Sequence, residues 1–249
     1  MNILRILFLI FIIVLLIYII NKINNHEYFS VINNNNSFNI NQPYKKMCIF
    51  RILGNNLNSV HSDSQTFDNL KFTLENEADF EDCDKIWILN RIVNSKLQIK
   101  YQKLLDKYHK KYLVIPFKRE EYDKIKNKNN VNLNSLKNNH DIFNKLYQHS
   151  LHLININGAR NVGIKYGRQR YMYSFIFDGS CFFTPKQFNE INEELDTNNE
   201  YIIIPLIRLN RNDLNIDLTT IEKEEPQIGF KNTSTLFFDK RLPYGLSNK

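Results

Sequence analysis

The chain has 249 residues, 43% hydrophobic and 13% aromatic, which suffices for one α/β domain with a core of its own but not comfortably for two. Its formal charge of +7 concentrates in Lys96–Lys137, where Asp and Glu are interspersed and no basic-aromatic repeat occurs. This argues against a nucleic-acid surface and for a generally basic, solvated one. Cys48, Cys83 and Cys181 are too few and too widely spaced for a disulfide framework or a zinc site, and read as small buried hydrophobes.

The first element in chain order is an unbroken apolar run, Ile6 to Ile20, extended at its edges by Ile3, Leu4 and Ile23. It reaches the ~20 residues a helix needs to cross a bilayer. It lacks the 3.6-residue polar alternation of a core helix, and no small-residue cleavage site follows it. Residues 1–23 are therefore read as an uncleaved, single-pass membrane anchor. Arg5 and the amino terminus, set against Lys22, tilt the orientation slightly toward a cytosolic amino terminus. Residues 24–44 are Asn-rich and aperiodic, as in a flexible stalk. Residues 45–249 form the domain.

Within the domain, Lys46 to Leu53 reads as a buried strand closed by Gly54-Asn55-Asn56. Ser62 to Phe80 follows as a helix with Asp63 and Ser64 as caps. Lys85 to Leu89 is a second strand ending at Asn90-Arg91. Ser95 to Lys111 has an apolar helical face, and Tyr112 to Phe117 is a third strand. This βαβαβ order predicts a mostly parallel sheet flanked by helices, with ligands at the carboxyl ends of the strands. Lys118 to Lys137 reads as a long charged loop, and His140 to Leu153 as a helix.

From Asn157 the sequence runs NGARNVGIKYGRQRYMYSFIFDGSCFFT: a turn at Asn157-Gly158, a helix, then a strand, Tyr173 to Phe177, delivering Asp178 at its end. Pro185 to Leu195 continues as a helix and Glu200 to Leu206 as a strand, trailed by Arg208 and Arg211. Next comes an acidic turn, Glu222-Lys223-Glu224-Glu225-Pro226-Gln227. Phe237-Phe238-Asp239 to Pro243-Tyr244-Gly245 reads as a structured carboxyl-terminal segment. Asn35 and Asn232 fit the glycosylation sequon, a pattern too common to locate the domain.

The residues Gly158, Ala159, Arg160, Asn161, Gly163 and Ile164, then Tyr173, Phe175, Phe177, Asp178 and Ser180, resemble the family 2-like glycosyltransferases of the GT-A fold. Those enzymes carry a small-Ala-Arg-Asn-x-Gly-Ile helix before an aromatic strand ending in an Asp-x-Asp-like motif. The resemblance spans about two dozen residues. It implies a GT-A-like (Rossmann-like) sheet behind the transmembrane helix, and a membrane-anchored transferase of the secretory pathway or its equivalent. Such an enzyme moves a sugar from a nucleotide-diphosphate donor to a hydroxyl on a glycan or glycoprotein. The donor's diphosphate leaves with growing negative charge, which a divalent cation (Mn2+ or Mg2+) held at the strand end neutralises.

By that resemblance Asp178 is the metal ligand and Ser180 stands where the family has a second Asp. Serine contributes no charge, so a non-catalytic, membrane-tethered binding protein of the same fold is the alternative. Arg160 orients Asp178 or bridges to phosphate, or else only fixes the strand through an ion pair. Asn161 serves the donor site or, as the slightly favoured reading, bonds the backbone. Arg51, with Asn90 and Arg91, lies where nucleotide base and ribose are gripped. Glu225, with Glu224 as its alternative, is the general base of an inverting displacement, or a solvated acidic turn. The end of the chain reads as a minimal or a truncated domain. A nucleotidyltransferase ranks low, because Gly54-Asn55-Asn56-Leu57 holds a single glycine.

Overall fold

The computed structural model describes residues 45–56, 62, 64–128, 139–195, 198–207, 209, 212–213, 223–240 and 242. The proposed anchor and stalk, Asp63, Asn35, Arg208, Arg211 and 243–249 lie outside them. Among the described residues no helix is long and apolar enough to cross a membrane.

Six strands form one sheet: β1 (Lys45–Leu53), β2 (Cys83–Asn90), β3 (Lys111–Ile115), β4 (Tyr171–Asp178), β5 (Tyr201–Ile207) and β6 (Lys223–Lys231). Their spatial order is β3-β2-β1-β4-β6-β5. β1 pairs in parallel with β2 and β4, and β2 with β3, whereas β6 runs antiparallel between β4 and β5. The sheet is thus mixed. The central strands are near-continuous apolar runs because both of their faces are covered.

Helix α5 (Ile156–Arg168) covers one face, packing Ala159, Val162 and Ile164 against Phe50, Ile52, Ile86, Ile88 and Ile176. Its approach is close. A Cβ at Gly163 would lie 3.0 Å from Ile176, and one at Gly167 would overlap the Ser174 hydroxyl. The spacing Ala159, Gly163, Gly167 puts the small residues on one stripe of the helix, and the sheet fills it. The other face carries α1 (Gln65–Asn76) and α2 (Ser95–Lys107) around Trp87, Leu89 and Val114, and α6 (Pro185–Glu193) against Phe175 and Phe177. Helices α3 (Arg119–Lys128) and α4 (Asn139–Ile154) precede α5.

Several boundaries differ from the sequence reading. The expected charged loop begins as helix α3, supported by the ion pairs Lys118–Glu121 and Arg119–Asp123 and by Tyr122 against His149. With Tyr122 as its main apolar contact it shows no apolar stripe to read. The expected turn at Asn157-Gly158 is the first turn of α5, capped instead by Asn155, whose Oδ1 accepts from the Gly158 amide at 2.9 Å. Asn155 adopts φ 29°, which Asn tolerates better than most residues.

Of the expected acidic turn, Lys223 to Gln227 is instead the start of strand β6, and Glu222 lies outside the described residues. Pro226 concealed it. The β5–β6 register steps from Ile204↔Gln227 to Leu206↔Glu224, so two residues, Glu225 and Pro226, oppose Pro205 alone. A bulge is where a strand accepts a residue without an N–H.

Candidate functional site

The chain passes from β1 outward to β2 and β3, then returns across β1 to β4. The connections leaving β1 and β4 therefore diverge, and a crevice opens beyond their carboxyl ends. A cleft of about 210 Å3 lies there. Gly54 and Asn55 line it from β1 and Gly179 and Ser180 from β4. Gln65, Thr66 and Asn69 of α1 form one wall, and Leu153, Ile154 and Ile156 at the α4–α5 joint form the apolar wall.

Asp178, the last residue of β4, stands opposite Ile52 and so shares the α5 face of the sheet. There Arg160 of α5 donates to Asp178 Oδ1 at 3.1 Å. The guanidinium also donates to Asn157 Oδ1 at 3.4 Å and lies 5.0 Å from the centre of the Phe238 ring. The turn that follows has no room for a side chain at Gly179, where a Cβ would sit 2.5 Å from the Ile52 carbonyl oxygen. Ser180 thus lines the cleft, and the Arg160–Asp178 pair stands at its rim next to Gly179, outside the residues that line it.

Of the remaining predicted residues, Arg51, Asn90 and Asn161 hold main chain. Arg51 stands opposite Phe177, on the other face of the sheet, and is fully buried. Its Nε donates to the Cys181 carbonyl at 2.8 Å and its Nη2 to Glu77 Oε1 at 2.5 Å. Glu77 Oε1 also accepts from the Phe183 amide at 2.9 Å, and Lys85 Nζ stands 2.9 Å from Glu77 Oε2. Arg51 therefore touches the cleft only through the loop that carries Ser180. Asn90 is buried too, and its Nδ2 donates to the Ile154 carbonyl at 2.5 Å, holding the apolar wall. Arg91 follows with φ 46°, its Nη1 donating to Asn90 Oδ1 at 3.3 Å.

Asn161 takes the backbone-bonding role. Its Nδ2 donates to the Phe238 carbonyl and its Oδ1 accepts from the Phe238 amide, both at 2.9 Å. With Asn157 donating to the Asp239 carbonyl, it straps residues 236–239 across α5. Glu224 and Glu225 enter at the carboxyl edge, because β6 runs antiparallel to β4. The β4–β6 pairing ends at Ile176↔Ile228, so both glutamates lie beyond it toward that edge. Glu225 is exposed.

At Cys181, whose carbonyl accepts from Arg51, burial and then the Asp178 charge push the thiol up to about 12, which disfavours the thiolate. Among the described residues no group of three or more His, Cys, Asp or Glu could hold a metal on its own. The rim offers one carboxylate, with a guanidinium against it, and one hydroxyl. That donor set fits a hard cation sharing its ligands with water and phosphate, as Mg2+ commonly does.

Sequence reading missed Gln65, Thr66, Asn69 and Glu77. The first three were legible only as the start of the helix after β1, which topology returns to the carboxyl edge. Glu77 follows the last turn of α1 as one polar residue among many, and only its burial distinguishes it. The molecule this geometry defines is a three-layer α/β domain with a cleft at its switch point. No protein family, curated protein or solved structure matches the chain.

Proposed function

We propose that the chain is a membrane-anchored, GT-A-like glycosyltransferase that moves a sugar from a nucleotide-diphosphate donor to a hydroxyl of a glycan or glycoprotein. The observation that carries this reading is the Arg160–Asp178 pair at the rim of the β1/β4 cleft, where the helix and strand of the sequence motif meet. The cleft supplies an apolar wall for a planar group and amide and hydroxyl groups to orient it. Residues 1–23 anchor the domain through the 24–44 stalk.

In this reading Asp178 and the Ser180 hydroxyl would hold a divalent cation (Mn2+ or Mg2+) when the donor's diphosphate is bound. The cation supplies charge neutralisation of the leaving group. Arg160 fixes the Asp178 carboxylate, and its charge faces the same phosphates. Glu225, or Glu224 beside it, takes the acceptor hydroxyl's proton as the hydroxyl attacks the anomeric carbon, and the nucleoside diphosphate leaves from the opposite face. The sugar is inverted in that single displacement.

One specific observation favours a second reading, a catalytically inactive binding protein: Ser180 leaves the rim a single formal negative charge. Calorimetry and product analysis with UDP- and GDP-sugars, with and without Mn2+ or Mg2+, test both. Metal-dependent hydrolysis or transfer that disappears in Asp178→Ala supports the enzyme. Nucleotide-sugar binding without product supports the binding protein, and full activity in Asp178→Ala overturns the site.

A further inference from the structure

The opposite, amino edge of the sheet gathers a set of large apolar side chains that no helix covers. Met172 opens β4, Tyr201 opens β5, and Leu236 and Phe237 follow the turn that closes β6. The Asn232 amide of that turn donates to the Met172 carbonyl at 2.8 Å. Tyr201 is 48% exposed, and Phe237 is 47% exposed. Beneath them Arg168, at the end of α5, donates to the Leu236 carbonyl at 2.6 Å and stacks 4.2 Å from the Phe237 ring centre. No carboxylate pairs with Arg168 among the described residues. Arg170 precedes β4 at the same edge, and the Lys231 amide donates to the Glu200 carbonyl at 2.9 Å.

Where the chain enters the domain says what covers this patch. Lys45, the first residue of β1, stands beside Tyr171 at the same amino edge. The 44 residues before it carry the apolar run Ile6 to Ile20. Residues 24–44, read from the sequence as a stalk, would as a coil of that length span about 25 Å. Tethering at that range gives an effective concentration in the millimolar range, so contacts far too weak to bind free domain to lipid become occupied. The aromatic and aliphatic side chains suit the headgroup boundary, and the arginines suit anionic lipid.

We infer that this patch, formed by Met172, Tyr201, Leu236 and Phe237 with Arg168, rests on the anionic membrane surface. The domain then lies with its amino edge down and the Asp178 cleft facing away from the bilayer. The inference rests on the anchor reading and not on the chemistry proposed for the cleft.

The test uses the full chain in nanodiscs, one chain per disc, with nitroxide-labelled lipid and a fluorophore at Thr235→Cys or at Ser180→Cys. Quenching at 235 at least about twofold above that at 180 is expected. It should weaken when phosphatidylserine is omitted, and again in Tyr201→Ser/Leu236→Ser/Phe237→Ser. Equal quenching at the two positions, or none at either, overturns the inference while leaving the anchor intact. Chains that alkaline carbonate strips from the discs overturn the anchor itself. With one chain per disc, a second copy cannot supply the contact.

Discussion

Arg51 and Glu77 form a 2.5 Å ion pair in which neither side chain reaches solvent, and the same carboxylate faces Lys85. Three charges are thus buried together beneath the loop that carries Ser180. Desolvation pulls the Lys85 pKa down, against the opposing pull of Glu77. Removing one partner of such a group leaves uncompensated charge, whereas replacing all of it with apolar side chains is often harmless.

Glu77→Ala is therefore expected to destabilise the domain by about 3–5 kcal/mol. Arg51→Met/Glu77→Leu/Lys85→Met should recover most of that loss, as read from urea denaturation midpoints. In the triple variant the Cys181 carbonyl and the Phe183 amide lose their partners. Amide exchange at 179–183 should accelerate even where global stability matches wild type.

Asp178 brings one negative charge to the rim, and Arg160 already draws on it. Calorimetry should find no measurable Mn2+ or Mg2+ binding to the protein alone, and binding once a nucleoside diphosphate is present. In Asp178→Asn the metal-dependent part of that binding should vanish while the thermal midpoint moves little. Tight metal binding without nucleotide would contradict the shared-ligand arrangement.

Asn161 satisfies both backbone groups of Phe238. Asn161→Ala leaves that amide and carbonyl unpaired at the α5 surface, a cost of about 1–3 kcal/mol for each group that stays buried. The strap at 236–239 should detach first, so its exchange rates rise ahead of those in β4. Asn161→Asp keeps the bond from the Phe238 amide but sets a buried carboxylate against the Phe238 carbonyl, so it should cost at least as much as Asn161→Ala.

Gly167 touches Ser174 so closely that a methyl group cannot be added without moving α5. Gly167→Ala should cost about 1–3 kcal/mol through overpacking, despite the helix propensity of alanine. Gly54, which has nothing within 4 Å of its would-be Cβ, makes the control. Gly54→Ala should leave the denaturation midpoint nearly unchanged.

Asp84 accepts from Lys45, Lys111 and Tyr171, at 2.8, 3.0 and 2.7 Å. Burial raises its pKa, but these bonds outweigh burial and hold it below the ordinary value. A depressed carboxylate contributes stability that is complete above its unfolded pKa, about 3.9, and is lost as pH falls through the folded value. Asp84→Asn should lower stability at neutral pH and flatten the acid limb below about pH 4, measured by denaturation across pH.

The sequence alone determined the layered α/β plan, the first three strands and the helix-strand motif around Arg160 and Asp178. It could do so because buried parallel strands are continuous apolar runs and α5 carries a clear apolar stripe, so periodicity and punctuation suffice. Tertiary structure alone decided that β6 inserts antiparallel between β4 and β5. A strand opening Lys-Glu-Glu-Pro looks like a turn until a bulge accommodates its proline. Tertiary structure also decided which polar residues face the cleft. Arg51 and Asn90 end or interrupt strands just as Asp178 does, but side chains alternate between the two faces of a sheet. One face gives Arg51 a buried carboxylate, and the other sets Asp178 against Arg160 at the rim. That partition depends on what packs over each face, and residues distant in sequence supply it.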